Sequence, residues 1–378
     1  ESARKKRALP SPEAVAESFE TLFEPRHGWA EEVEEDLGRA TSVVLQLVSV
    51  VDRFVFEQVD EAVVDELAAR CHQCIVRRIV AYVGAIPPQA YEQGITHSVL
   101  SWMRTYHDEL EQQAGSLSPA LFELECVKPL CEHYRVSMLE TMTKWCKNLI
   151  QLERESVEHI EHSDEDGLFT GGPVDLFTMV NQQIAAAHST GVDQLTFSVL
   201  LACEAVFRFY VDEISKQVTT DWQTMPLEYL CAVVNNCSKM MEHAAELSQQ
   251  AELLLNEAQF SSLAPDRVAQ GFLDVAKVAV TSIVDKMMVD LVPLFAKIFS
   301  DAWFKDQNGM GTVIATTGDF LCDLQLWVQE FFFKRLVTQV LDRVVYYYIE
   351  ALLITHRVKP SAKVKQGIAL VLWRQVRA

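Results

Sequence analysis

Two thiols stand one helical turn apart in Cys71-His72-Gln73-Cys74. Thiolates at this spacing hold zinc when a second pair completes a tetrahedral set. The nearest further thiols, Cys126 and Cys131, are spaced differently and fall in a different expected helix, so Cys71 and Cys74 read as core positions on one helical face. His162, Asp164, Asp166 and Gly167 fall at positions 1, 3, 5 and 6 of a calcium loop, but position 12 is Pro173 where a bidentate Glu is required, so the pattern fails. Asn235-Asn236-Cys237-Ser238 with Glu242 has the residue types of the magnesium-binding helix in terpene-synthase-like enzymes. That chemistry needs a facing Asp-rich helix, and the sequence has none, which leaves a polar face with an inter-helix amide contact. There is no GxSxG, no Walker loop and no strand-linked GxGxxG; Gly309-x-Gly311 follows a helical pattern and reads as a turn. No catalytic, cofactor-binding or metal-ligating residue is assigned.

Two other groups suit binding better than catalysis. Phe331-Phe332-Phe333 and Tyr346-Tyr347-Tyr348 are runs of three aromatics. Each helical step turns about 100°, so no run of three can face one side. Either the helix is buried on most sides, or a member of each run is an exposed anchor for a partner. From residue 355 to 378 the sequence has no acid and six basic residues, among them Arg357, Lys359, Lys363 and Lys365. This is a solvated face or a site for anionic lipid or an acidic partner. A second basic cluster is Arg4-Lys5-Lys6-Arg7.

The elements that would position these residues are helical. Of 378 residues 49% are hydrophobic, enough for a substantial core and for two or three domains by length. The formal net charge of -20 repels a phosphate backbone and argues against nucleic acid as a partner. Gly (14) and Pro (12) are sparse, which favours long elements and few turns. Nine cysteines, an odd number spread through apolar stretches, suit reduced, buried thiols of a cytosolic protein. The longest apolar run, around 43–51, is too short to cross a bilayer.

Leu230, Val233, Cys237, Met240, Ala244, Leu247, Ala251 and Leu254 repeat at alternating spacings of 3 and 4, a stripe on one side of a long helix. Val337, Val340, Val344, Tyr348, Ala351 and Thr355 form a second stripe at spacings of 3 or 4. No stretch alternates at the period of a strand. Ser-Pro pairs at 11–12 and 118–119 mark helix starts, Gly84 with Pro87-Pro88 marks a break, Met225-Pro226 opens the striped helix, Pro265-Asp266 separates it from the next, and Pro129 and Pro293 should kink or end theirs. Residues 161–172, acidic and then glycine-containing, read as a linker between an N-terminal bundle (1–160) and a C-terminal bundle (173–378). The fold class is therefore all-α, with about a dozen helices, several of ~20–30 residues, packed as antiparallel neighbours.

Four segments carry a family resemblance in order. Asp164-Glu165-Asp166-Gly167-Leu168-Phe169-Thr170 followed by Pro173-Val174-Asp175-Leu176-Phe177-Thr178-Met179-Val180-Asn181-Gln182-Gln183 resembles an acidic linker leading through Pro into a Met- and Gln-bearing helix of the Sec-six (exocyst component three) family. Tyr229-Leu230-Cys231-Ala232-Val233-Val234-Asn235-Asn236-Cys237 is similar to that family's Tyr-to-Asn-Asn helix. Residues 272–290 with Trp303, and 317–353 with Arg343-Val344-Val345, resemble its next long helices. The resemblance covers about 164–360 and corresponds to the family's C-terminal region.

It implies an elongated rod of stacked bundles, no enzyme activity, no cofactor, and a role docking secretory vesicles at the plasma membrane through sister exocyst subunits and SNAREs. A paralogous branch would instead bind a small GTPase or lipid in membrane protrusions. A helical metal-dependent enzyme is the third class and lacks its acidic motif. The implied location is cytoplasmic, peripheral at sites of secretion. A compact globule of this length would have a radius of gyration of about 21 Å. Small-angle scattering should return a clearly larger value with an elongated profile; a fit to a compact sphere would contradict the rod.

Overall fold

The computed structural model describes residues 69–70, 72–73, 75–77, 79–81, 83–84, 95–114, 120–155, 160–163, 167–300, 303 and 309–357. Cys71, Cys74, the basic cluster Arg4-Lys5-Lys6-Arg7, the basic residues after Arg357, Pro87-Pro88, the apolar run at 43–51 and the Ser-Pro pairs lie outside these residues. After helical residues within 69–84 come α1 (Ile95–Ala114), a short 3₁₀ turn (Leu121–Glu123) and α2 (Val127–Glu155). A hairpin of β1 (Glu161–Ser163) and β2 (Gly167–Phe169) follows, then α3 (Gly172–Ser189), α4 (Asp193–Asp221), α5 (Leu227–Leu254) and the single turn α6 (Glu257–Phe260). The described chain closes with α7 (Pro265–Phe295), α8 (Gly309–Trp327) and α9 (Glu330–Arg357). The architecture is all-α, as the periodicity requires.

The prolines behave according to position. Pro265 starts α7 and Pro226 directly precedes α5. Pro129 sits in the first turn of α2, where a missing N–H costs nothing, and Pro293 lies two residues before the end of α7. Gly309 and Gly311 belong to the first turn of α8, not to a preceding turn as expected. A Cβ on Gly309 would overlap the Trp303 ring, so close packing requires glycine there.

The chain packs into two compact units. One comprises Glu1–Thr141, Val180–Cys203 and Leu254–Gln259. Its described core is built from Leu100, Met103 and Tyr106 of α1, Leu121, Leu130 of α2, Ile184 of α3 and Leu195 of α4, all buried. The His97 ring meets the Ala186 carbonyl at 3.1 Å, and Phe122 takes the edge of His107 at 4.8 Å. Gly191 turns α3 into α4 with φ 65°, a conformation that favours glycine.

The other unit comprises Met142–Met179, Glu204–Leu253 and Phe260–Ala378. Its centre is α5. The stripe from Leu230 to Ala251 is buried, as the spacing predicts, and in its first part the helix is buried on every side from Tyr229 to Cys237. α7 packs beside α4 through Phe272, whose ring meets Phe207 at 6.4 Å and Tyr210 at 6.1 Å. α9 lies along α7 in the same direction, pairing Gln339 with Thr281 (3.3 Å) and Arg343 with Asp285 (2.9 Å). α8 carries the chain back between these parallel helices. The buried line of α9 is Phe332, Leu336 and Val340. The stripe read from the sequence is only partly right: Val340 is buried, but Val337, Val344, Tyr348 and Ala351 are half-buried at its edge.

Burial governs the chemistry of most of the described cysteines. Desolvation pushes the thiols of Cys131, Cys146, Cys203 and Cys237 up to about 12, and Cys231 is raised by the same cause. These are inert core groups; Cys322 is exposed. Among the described residues, α4 is the one helix long and apolar enough to cross a membrane, but its Phe207, Tyr210, Ile214 and Val218 are buried in protein.

His243 of α5 stacks on Phe177 of α3 at 4.0 Å and is buried. Desolvation holds its pKa below the usual 6.5, against the pull of Glu246, 3.6 Å away. A depressed folded-state pKa means that the unfolded chain takes up the proton first as pH falls. Its contribution is full above about pH 6.5 and shrinks below it. Urea unfolding should therefore show a stability loss between about pH 7.5 and about pH 5.5 that is smaller in His243→Phe. An identical loss in both proteins would remove His243 from the account.

Candidate functional site

The segment read as an acidic linker contains ordered structure that its sequence does not announce. β1 and β2 pair antiparallel, with His162 opposite Leu168 and Ser163 opposite Gly167. At three residues each the strands are too short to carry a visible alternation. Leu168 and Thr170 are buried, and Gly167 has φ 71°. A Cβ on Gly167 would overlap the Trp327 carbonyl oxygen, so this position needs glycine for both conformation and space.

Two asparagines of α5 hold this hairpin. Asn235 is 1% exposed, and its Nδ2 donates to the Leu168 and Trp327 carbonyls at 2.7 Å each. Its Oδ1 accepts from the Gln329 backbone N–H at 3.0 Å. Asn236, 5% exposed, pairs reciprocally with Thr170: its Oδ1 accepts from the Thr170 N–H at 3.1 Å, and its Nδ2 donates to Thr170 Oγ1 at 2.6 Å. The sequence predicts for both a polar face with an inter-helix amide contact. Asn235 makes such a contact, to the Trp327 carbonyl of α8, but both residues are buried, and their other partners are the hairpin segment and the Gln329 N–H. Only Glu242, exposed and 2.9 Å from Lys239, sits on a solvated face.

A third buried group completes the network. Glu153 of α2, 5% exposed, accepts from the Thr170 hydroxyl and from the Gly172 N–H at 2.8 Å. A carboxylate at the first N–H of α3 suits the positive end of that helix. Glu204 does the same at the start of α7, accepting from the Ala264 N–H at 2.9 Å. The phenols of Tyr210 and Tyr229 are raised by burial and then by the Glu153 charge, which keeps both protonated.

What this network positions is the corner between α8 and α9. Two residues, Val328 and Gln329, connect the helices. A turn that short leaves helix-end carbonyls and N–H groups without intrahelical partners. Asn235 satisfies one group on each side, and the His162 ring lies 3.2 Å from the Leu326 carbonyl. The corner carries Leu326 at 65% exposure and Phe331 at 70%.

The six aromatics divide as helical geometry demands. Phe331 and Tyr346 are exposed, while Phe332 is fully buried. Phe333 is half-buried, as are Tyr347 and Tyr348, whose rings lie 5.8 Å from Phe295 and 5.4 Å from Phe299. Phe299 itself has φ 63°, unusual for so large a residue, where the chain leaves α7. Of the basic residues, Arg357 ends α9, and Lys359, Lys363 and Lys365 lie outside the described residues. Among the described residues no group of three or more His, Cys, Asp or Glu side chains comes together to hold a metal. The sequence names Phe331 among six candidate aromatics, and His162 and Asn235 for other roles; it gives no signal for Leu326 or Glu153, nor for the partners of Asn235, which lie up to 94 residues away.

Removing the Asn235 side chain leaves two carbonyls and one N–H without their bonds, each costing about 1–3 kcal/mol if water cannot reach it. Asn235→Ala should therefore lose about 3 kcal/mol or more in denaturant unfolding, while Glu242→Ala changes stability by less than about 0.5 kcal/mol. Equal, small losses would show that the network is not under load.

The family model for Exocyst complex component Sec6 matches residues 13–371. Among solved structures the chain is similar to the crystal structure of the C-terminal domain of the exocyst subunit Sec6p, with 20% identity and a TM-score of 0.53, over 60% of this chain and 63% of that one. It is also similar to the crystal structure of M-Sec, with 17% identity and a TM-score of 0.59, over 89% of this chain and 58% of that one. At those identities the two likenesses establish the helical fold alone, and the chain spans less than two thirds of either structure.

Proposed function

The chain belongs to the exocyst complex component Sec6 family, and from that premise we propose that it works as a non-catalytic tethering subunit that binds sister exocyst subunits through exposed apolar side chains on its helices. The family match over residues 13–371 carries this reading. The geometry supports it: Phe331 and Leu326 project from a corner whose backbone is fixed by Asn235 and His162. Phe331 is the proposed principal anchor and Tyr346 a second. Phe332 belongs to the core, and Phe333, Tyr347 and Tyr348 serve packing. Contact with a plasma-membrane SNARE, and a cytoplasmic location at sites of secretion, are part of the same proposal.

A second reading is a lipid- or small-GTPase-binding helical protein of the membrane-protrusion branch. It draws on the run Arg357, Lys359, Lys363 and Lys365, because each basic residue near an anionic surface contributes about 1 kcal/mol. Its fold-level counterpart is the likeness to M-Sec.

Co-precipitation of sister subunits from cytosol, quantified for each variant after circular dichroism confirms the helices, tests the first reading. Phe331→Ala should weaken capture by about 2 kcal/mol or more, the usual scale for an aromatic anchor. Glu242→Ala should leave capture unchanged. Full capture by Phe331→Ala, with loss of anionic-liposome binding on neutralising the basic run, would favour the second reading.

A further inference from the structure

The exposed face of α9 repeats every seven residues. Phe331, Arg335, Thr338, Asp342, Val345 and Ile349 are all exposed and recur at spacings of 4, 3, 4, 3 and 4. That alternation is the seam of a coiled coil, along which a second helix packs. Leu341 and Tyr346, also exposed, flank the seam on either side. Single exposed apolar residues are ordinary, but a continuous seam about 27 Å long is a surface shaped for a helix. No described element lies over it.

We propose that this seam docks a helix of another protein, one that carries an acid and a base seven residues apart among apolar residues. The two charges inside the seam decide the partner's chemistry. Their neighbours are already engaged: Lys334 pairs with Glu330 at 2.6 Å, and Arg343 with Asp285 at 2.9 Å. Arg335 and Asp342 have no ion-pair partner among the described residues. They stand two turns apart, about 10 Å along the axis. A helix laid on the seam takes both out of water, and a charge so buried must meet its opposite. An acid level with Arg335 and a base level with Asp342 meet that demand, and polar groups inside a seam fix the register of the pair. A second copy is the poorer occupant. In parallel it sets Arg335 on Arg335 and Asp342 on Asp342, and in either direction it brings together two chains of net charge -20. This docking rests on the tethering reading and makes Phe331 the first residue of a longer contact.

Three synthetic helical peptides of about three heptads, each with an apolar seam and two charged seam positions seven apart, test this by fluorescence anisotropy on the full chain. One carries Glu and Lys, one two Lys, and one two Glu. The Glu/Lys peptide should bind about tenfold or more tighter than either of the others, and its binding should slow hydrogen exchange across 331–349. Arg335→Asp, a change at an exposed position that leaves the helix in place, should make the two-Lys peptide the tightest. Equal binding of the three peptides, a ranking that Arg335→Asp leaves unchanged, or protection outside 331–349 would overturn the proposal. Sedimentation covers the second copy: a dimer that Arg335→Asp abolishes would assign the seam to another copy of this chain and contradict the proposal as well. These measurements contain no sister subunit. Discrimination among the peptides without capture of sister subunits would keep the seam's chemistry and remove the tethering reading; capture without discrimination would do the reverse.

Discussion

A buried backbone polar group must find a partner, and one carboxamide meets that demand for three elements at once. Asn235 bonds the last strand of the hairpin, the end of α8 and the residue before α9. Without it the two-residue turn between α8 and α9 would lose these partners for a half-buried carbonyl and N–H, a cost that a longer, solvated turn would avoid. The tightness of that turn fixes the direction of α9 against α7, and with it the side of α9 on which Phe331 emerges. Asn236, Thr170 and Glu153 extend the same logic to the start of α3. The polar network is narrow, fully inside one helical unit, and surrounded by aliphatic packing that keeps water from competing for its bonds.

The parts of the fold governed by local rules were legible in the sequence. The alternating 3 and 4 spacing from Leu230 identified the central helix, and Pro265 marked the start of α7. The aromatic runs forced a split between buried and exposed members, and Phe332 against Phe331 shows it. What escaped was long-range. Asn235 and Asn236 stand among apolar residues in a pattern that also fits a solvated face, and only the partners decide between these. Glu153 lies in a charged stretch, where a buried carboxylate looks like any surface acid. The hairpin is built from three-residue strands whose stability comes from α5 and not from their own sequence. The stripe on α9 is displaced because the helix packs along α7 through Gln339, Arg343 and Tyr347, and this neighbour cannot be inferred from one helix alone.

Function follows the same division. Thiols pushed far above neutrality by burial are not nucleophiles, and the buried carboxylates are committed to helix N-termini. The polar residues that first invited a chemical reading hold backbone in place. The side chains proposed for a partner are apolar and exposed, and Phe331 and Leu326, at 70% and 65% exposure, stand at the corner that the asparagine network stiffens. The proposed tethering role calls for this arrangement: binding energy concentrated in a few anchors, on backbone that loses little freedom when a partner arrives.

The most direct measurement is therefore a double-mutant cycle on partner affinity between Asn235→Ala and Phe331→Ala, using purified sister subunits and variants whose helicity is unchanged. If Asn235 acts by holding Phe331 in place, its substitution weakens binding in the native background and has little further effect once Phe331 is already Ala, so the two losses are far from additive. Strictly additive losses, or a loss of affinity from Asn235→Ala that is the same with and without Phe331, would contradict the account.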